Sequence, residues 1–148
     1  MIGRLALSRR TPRAMPSTIG ERMARVRNKD TAPELAVRRF LTRAGVRYRL
    51  HRRDLPGTPD VYVPRLQLAI FVHGCFWHGH ECPRGKRPKT NALFWDLKIS
   101  NNRARDERSR ERLADVGIAA LELWTCQHAG FESECKRIAR RYRQIGRA

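Results

Sequence analysis

Apolar positions along the chain fall into short periodic groups separated by glycine, proline and charge. Leu35, Val37, Phe40 and Leu41 form a mostly apolar helical face behind Thr31 and Glu34, a capping-box pair, with Pro33 tolerated in the first turn and Gly45 placed to stop the helix. A second such pair, Thr18 and Glu21, opens a short basic helix to about Asn28. Val46, Tyr48 and Leu50 alternate with arginines, which predicts a half-buried strand. Leu55-Pro56-Gly57-Thr58-Pro59 reads as a turn and Asp60 to Val63 as a second short strand. Leu66 to His73, with its nearly continuous run Leu68-Ala69-Ile70-Phe71-Val72, predicts a central buried strand.

Gly74 to Thr90 is rich in Gly, Pro, Cys and His and reads as a structured loop. A long helix follows from about Asn91 to Val116, ended by Gly117. Its middle, Asn101 to Arg112, is almost wholly polar and so faces solvent or a ligand. Ile118 to Trp124 makes a further strand and Phe131 to Ile145 a basic terminal helix. The order α-α-β-β-β-loop-α-β-α predicts an α/β fold, a mixed central sheet flanked by helices.

Composition narrows the partner. The 148 residues suit one domain, taken as 17–148 behind a flexible basic arm at 1–16. No apolar run approaches the ~18 residues of a membrane span, and the opening stretch is too short for a secretory core, so the expected location is cytoplasmic, with no membrane partner. A formal net charge of +18, with 27 arginines among the 32 basic residues, points to a polyanion, and nucleic acid leads. Charge alone does not separate an enzyme from a passive binder.

Cys75, His78, His80, Cys82, Cys126 and His128 offer more soft ligands than one zinc needs. In a cytosolic chain metal binding is the better default than disulfides. A tetrahedral structural zinc on Cys75, His80, Cys82 and Cys126 is the assignment, although spacing leaves His78, His73 and His128 open. Cys135 falls in a helical pattern as an ordinary thiol. Asp60, at the start of a strand, is a candidate ligand for a hard divalent cation, and His73 ends the neighbouring strand. His78, if not on zinc, is free to act as general base. Taken singly, an Asp such as Asp60 at a strand start is more often a turn residue, and capping alone accounts for Glu34.

Phe76 and Trp77 are adjacent aromatics between metal ligands, placed to wedge between bases. Trp95, Lys98 and Asn102 recur at helical spacing and share one face, either as a base-reading surface or with Trp95 packed inward.

The run Phe71-Val72-His73-Gly74-Cys75-Phe76-Trp77-His78, continuing through His80 to Cys82, resembles the signature of the very short patch repair endonucleases. Leu55-Pro56-Gly57, Pro59-Asp60, Phe94-Trp95 and Trp124-Thr125-Cys126 fall in the order that family shows, and the likeness runs from about Met23 to Cys126. The resemblance implies a restriction-endonuclease-like fold with a structural zinc and a divergent active site. It implies nicking of double-stranded DNA 5′ to the thymine of a T·G mismatch left by deamination of 5-methylcytosine. Asp60 and the Val72 backbone carbonyl would bind catalytic Mg²⁺, His78 would be general base, and Glu34 and His73 would contact metal-bound waters. Residues matching Phe76, Trp77 and Trp95 would wedge beside the mismatch, with Met23 entering from the other groove. The implied enzyme is a nucleoid-associated monomer that works with a mismatch-repair coupling protein. This chain departs from the family in carrying Val72 where threonine is common, and Gly79 and Glu81 within a run that is usually histidine-rich. The rival readings are a non-catalytic zinc-containing DNA-binding module and a restriction-type endonuclease on matched DNA.

Overall fold

A computed structural model describes residues 21–22 and 26–146. The basic arm, Met23 and most of the helix expected from Thr18 lie outside the described residues. Helix α1 (Ala32–Arg43) buries Glu34, Val37 and Leu41. Its cap differs from the expected box. The Thr31 hydroxyl does not bond a backbone N–H but donates to Glu34 Oε1 (2.9 Å), while Oε2 accepts from the Asp30 N–H (3.0 Å). Gly45 ends the helix as expected: its N–H reaches the Thr42 carbonyl (3.1 Å) and the Val46 N–H that of Leu41 (3.0 Å), a Schellman closure. Gly117 closes helix α2 (Ala92–Asp115) in the same way.

Four strands, β1 (Arg49–Leu50), β2 (Val61–Val63), β3 (Leu68–His73) and β4 (Ala119–Trp124), form one sheet in chain order. β1–β2 and β2–β3 are antiparallel and β3–β4 parallel, with α2 as the crossover. The sheet is mixed, as the pattern predicts. β1 is shorter than the alternation of Val46 to Leu50 predicts, because β2, bounded by Pro59 and Pro64, offers only Tyr62 and Val61 as partners. Residues 64–66 form a 3₁₀ turn, so β3 begins two residues later than expected.

The pleat sorts the side chains to two cores. Val61, Val63, Leu68, Ile70 and Leu123 pack with α1 and helix α3 (Phe131–Ile145) through Val37, Leu41, Phe131 and Ile138. Cys135 joins that core, its thiol facing the Val37 carbonyl. On the other face Tyr62, Ala69 and Phe71 pack with Leu113 of α2 and Ile118. Val72 continues the first set and His73 the second, so the last two residues of β3 serve opposite faces. β3 and β4 end level, His73 opposite Trp124, and the loops that follow carry all four thiol and imidazole groups expected to hold zinc.

Candidate active site and metal centre

Asp60 precedes β2, and its Oδ2 accepts the Val72 N–H of β3 at 2.7 Å. Burial pushes this carboxyl up to about 6, against the pull of the Val72 hydrogen bond, and the nearby charge of Glu34 adds to the rise. Glu34, 3% exposed, reaches the same region from the first turn of α1. The Asp60 and Glu34 carboxylates and the Val72 carbonyl are hard oxygen donors, of the kind that suits Mg²⁺.

The His73 and His78 rings meet at a 36° tilt with centroids 3.9 Å apart. His78 Nδ1 lies 2.5 Å from Asp106 Oδ2 on α2. Asp106 is held below the usual carboxylate range: burial opposes this, but the hydrogen bond and charge of His78 outweigh it. His73 is buried and pushed down to about 4, first by burial and then by His78, so it is neutral near pH 7. Its Nε2 lies 3.4 Å from Glu122 Oε1 of β4, and Arg110 bonds the other Glu122 oxygen (3.0 Å). The structure thus groups His78 with His73 and Asp106, away from the thiols.

Sequence reasoning missed Asp106 and Glu122. Asp106 continues the stripe Trp95, Lys98, Asn102 by one more turn, a signal open to reading. Glu122 is an acid whose strand neighbours Leu121 and Leu123 face the α1–α3 core, so alternation turns it toward α2.

Cys75, His80, Cys82 and Cys126 bring one ligand atom each to within 4.8 Å of one another. Tetrahedral zinc with bonds of about 2.0–2.3 Å needs donors roughly 3.5 Å apart, and Cys126 Sγ is 3.5 Å from His80 Nδ1. The His80 ring stacks on Trp124 (4.3 Å), which fixes its orientation. Burial, and then the hydrogen bonds of Cys75 and Cys82, push Cys126 up to about 11. Cys75 lies below the ordinary thiol value: burial opposes this, and hydrogen bonds with Thr125 and Cys126 outweigh it. Three thiols and an imidazole this close together are donor chemistry that fits zinc. Close backbone contacts hold the loop: a Cβ on Gly85 would stand 1.9 Å from the His80 carbonyl oxygen. His128 is not part of the cluster.

A groove of about 920 Å³ runs past Glu34, Val72 and His78, walled by Phe76, Trp77, Phe94, Trp95 and Lys98. Phe76, Trp77 and Trp95 meet edge-to-face at 5.2–6.1 Å. Trp95 is buried, whereas Phe94 is 56% exposed. The ammonium of Lys98 lies 5.6 Å from the Trp77 ring and 5.7 Å from that of Phe94. Asn102 is committed at both ends of its amide, donating to the Trp77 carbonyl and accepting from Arg105 (each 2.9 Å). It holds the aromatic loop in place.

Comparison with known proteins supplies the family. The profile described as "DNA mismatch endonuclease Vsr" matches residues 14–84. A "Type II nicking enzyme V.XorIIP" from Xanthomonas oryzae pv. oryzae is 49% identical over 117 residues, 79% of this chain and 86% of the relative. The chain belongs to the Vsr family. "DNA mismatch endonuclease Vsr" from Escherichia coli K12 is 39% identical over 116 residues, 78% of this chain and 74% of that protein. A Neisseria meningitidis "Type II nicking enzyme V.NmeAIP" is 38% identical over 105 residues, 71% and 75% of the two chains. By family this is an endonuclease. The stretch matched by the Vsr profile contains Glu34, Asp60, His73, His78, Cys75, His80 and Cys82, while Asp106 and Cys126 follow it. Among the described residues no helix is long and apolar enough to cross a membrane.

Proposed function

We propose that this chain is a zinc-stabilised, Mg²⁺-dependent endonuclease that nicks duplex DNA 5′ to the thymine of a T·G mismatch. The observation that carries the reading is the meeting, at one end of β3, of the Asp60–Val72 hydrogen bond and Glu34 with the His73–His78–Asp106 group, beside an aromatic groove.

Asp60 and the Val72 carbonyl would hold Mg²⁺, with Glu34 and His73 directed at its waters. Bound there, the ion would polarise the scissile phosphate and acidify a coordinated water. His78 would take the proton from the attacking water, and Asp106 fixes its tautomer by accepting from Nδ1–H, leaving Nε2 as the basic nitrogen. Neutral His73 keeps positive charge away from that base. Cys75, His80, Cys82 and Cys126 would hold zinc and so brace the segment bearing His73, Phe76, Trp77 and His78.

The Val72 side chain packs with the α1–α3 core while its amide serves Asp60, which supports a role for the carbonyl alone. A wobble pair is easier to unstack than a matched one, and Phe76, Trp77 and Phe94 offer rings to replace the lost stacking. The mixed sheet with one parallel crossover suits the restriction-endonuclease-like architecture.

The test is nicking of a T·G duplex, its matched C·G and T·A counterparts and a panel of other mismatches, in Mg²⁺. The expected result is a single nick 5′ to the mismatched thymine, and Asp60→Ala lowers the rate on the order of 10³-fold. Equal cleavage of matched duplexes would replace this reading with a restriction-type activity. Binding without cleavage in any divalent metal would leave only a DNA-binding module.

A further inference from the structure

Arg38 sits in the middle of a third polar cluster, formed with Asp30, Glu34 and His51. Its side chain is 12% exposed. Nη1 donates to Asp30 Oδ1 at 2.7 Å, and Nη2 faces both Glu34 Oε2 (3.3 Å) and His51 Nε2 (3.0 Å). A guanidinium has only donors, so the Arg38 contact is a hydrogen bond when His51 Nε2 accepts; the same nitrogen lies 3.7 Å from Asp30 Oδ1. The His51 backbone N–H meanwhile reaches the Asp60 carbonyl oxygen (3.4 Å). One residue therefore links Asp60 through its backbone to Glu34 through Arg38.

Two features mark this arrangement as more than a helix-surface ion pair. Asp30 (φ +54°) and His51 (φ +45°) both hold left-handed backbone that non-glycine residues adopt at a cost. Among the described residues Arg38 Nε is the buried side-chain nitrogen or oxygen without a hydrogen-bond partner. Strain and an unsatisfied donor are both accepted to keep the fork on these three partners.

We infer that Arg38 and His51 are positioning residues that hold the Glu34 carboxylate in a fixed orientation for the metal-bearing site. The inference rests on the metal-site reading above. Without the clamp Glu34 keeps only Thr31 and the Asp30 amide, both on its own helix turn. Outer partners of metal ligands typically govern affinity and activity by about 10–100-fold.

The experiment titrates Ca²⁺ calorimetrically into the whole zinc-loaded chain bound to an uncleavable T·G duplex, and measures the Mg²⁺ dependence of nicking in parallel. Arg38→Met, which keeps the stem and removes the fork, is expected to weaken Ca²⁺ about 10-fold and slow nicking by about 10–100-fold. His51→Gln, whose amide oxygen can accept from Arg38, is expected to stay within about 3-fold of the native chain, and His51→Ala to follow Arg38→Met. Circular dichroism and zinc content verify folding, and if Arg38→Met does not fold, the two His51 variants decide. Unchanged Ca²⁺ affinity in Arg38→Met or His51→Ala overturns the clamp, as does a tighter affinity, which would make Arg38 a competitor for Glu34. Asp60→Ala separates the two levels: if it too leaves Ca²⁺ binding intact, the metal-site reading fails as well.

Discussion

The two metal-suited clusters share the segment from His73 to Cys82 but are built on opposite plans. The soft cluster draws three of its four ligands from one loop and the fourth from the turn that follows β4, and its donors already lie close to zinc spacing. The hard cluster gathers Glu34 from α1, Asp60 from before β2, Val72 and His73 from β3, His78 from the loop and Asp106 from α2. Glu34, Val72 and His78 of this set line an open groove, and burial holds the Asp60 carboxyl above its ordinary range. On the proposed reading, the closed site is complete with one ion, whereas the open one needs metal, water and substrate. A structural centre can be local in sequence because it serves one loop. A reacting centre must surround a phosphate, so its groups come from several elements.

That contrast can be broken at either end. Cys82→Ala should have the largest effect: zinc lost on purification, nicking at background and a thermal midpoint lower by more than about 10 °C. Zinc content and a melting scan check it, and a fully active, zinc-free variant would reject the bracing role. Asp106→Asn should slow nicking by roughly 10²-fold while leaving zinc and the thermal midpoint near native values. A comparable loss of stability would instead make the His78–Asp106 contact a fold element.

The third prediction concerns pH. Below about pH 4 the Asp60 carboxyl is protonated in both folded and unfolded chains and costs nothing. Above about 6 the unfolded chain ionises freely while the folded chain must ionise a buried group, so the Mg²⁺-free protein loses up to about 3 kcal/mol across that window. Urea midpoints from pH 4 to 8 for the native chain against Asp60→Asn should diverge in that sense, and Mg²⁺ should close the gap at high pH. Parallel curves would show that Asp60 titrates normally. Val72→Thr should have the smallest effect, within about 2-fold in nicking and about 1 kcal/mol in stability, because the hydroxyl would face the α1–α3 core. A 10-fold gain in rate would show that the hydroxyl takes part.

Much of the scaffold is legible because it is written locally. Gly45 and Gly117 end their helices by a cap that needs only that residue and its neighbours, and α3 spans Phe131–Ile145 as its pattern predicts. The four zinc candidates are legible too, since three lie within eight residues. What the chain alone conceals is pairing across elements. His80 separates from His78 only when the loop packs, with one ring on Trp124 and the other on His73. Asp106 sits on a legible helical stripe, but its partner His78 is shown only when α2 is laid on the sheet. Arg38 and His51 are thirteen positions apart and meet only when the chain folds back beside α1. Thr31 and Glu34 fit a capping box, yet Glu34 turns its carboxylate to Arg38 and Asp30 instead.

Phe76 and Trp77 are flanked by Cys75 and His78, and Asn102 grips the Trp77 carbonyl. Their backbone is thereby fixed by neighbours that answer to other duties. Leu93, Phe94 and Leu97, on the first turns of α2, are 81%, 56% and 66% exposed, and Phe94 lies beside Lys98 in the groove wall. For anyone redirecting this enzyme to a new target sequence, residues 93, 94 and 97 are the ones to randomise, and residues 74–82 are to be transplanted only as a single block.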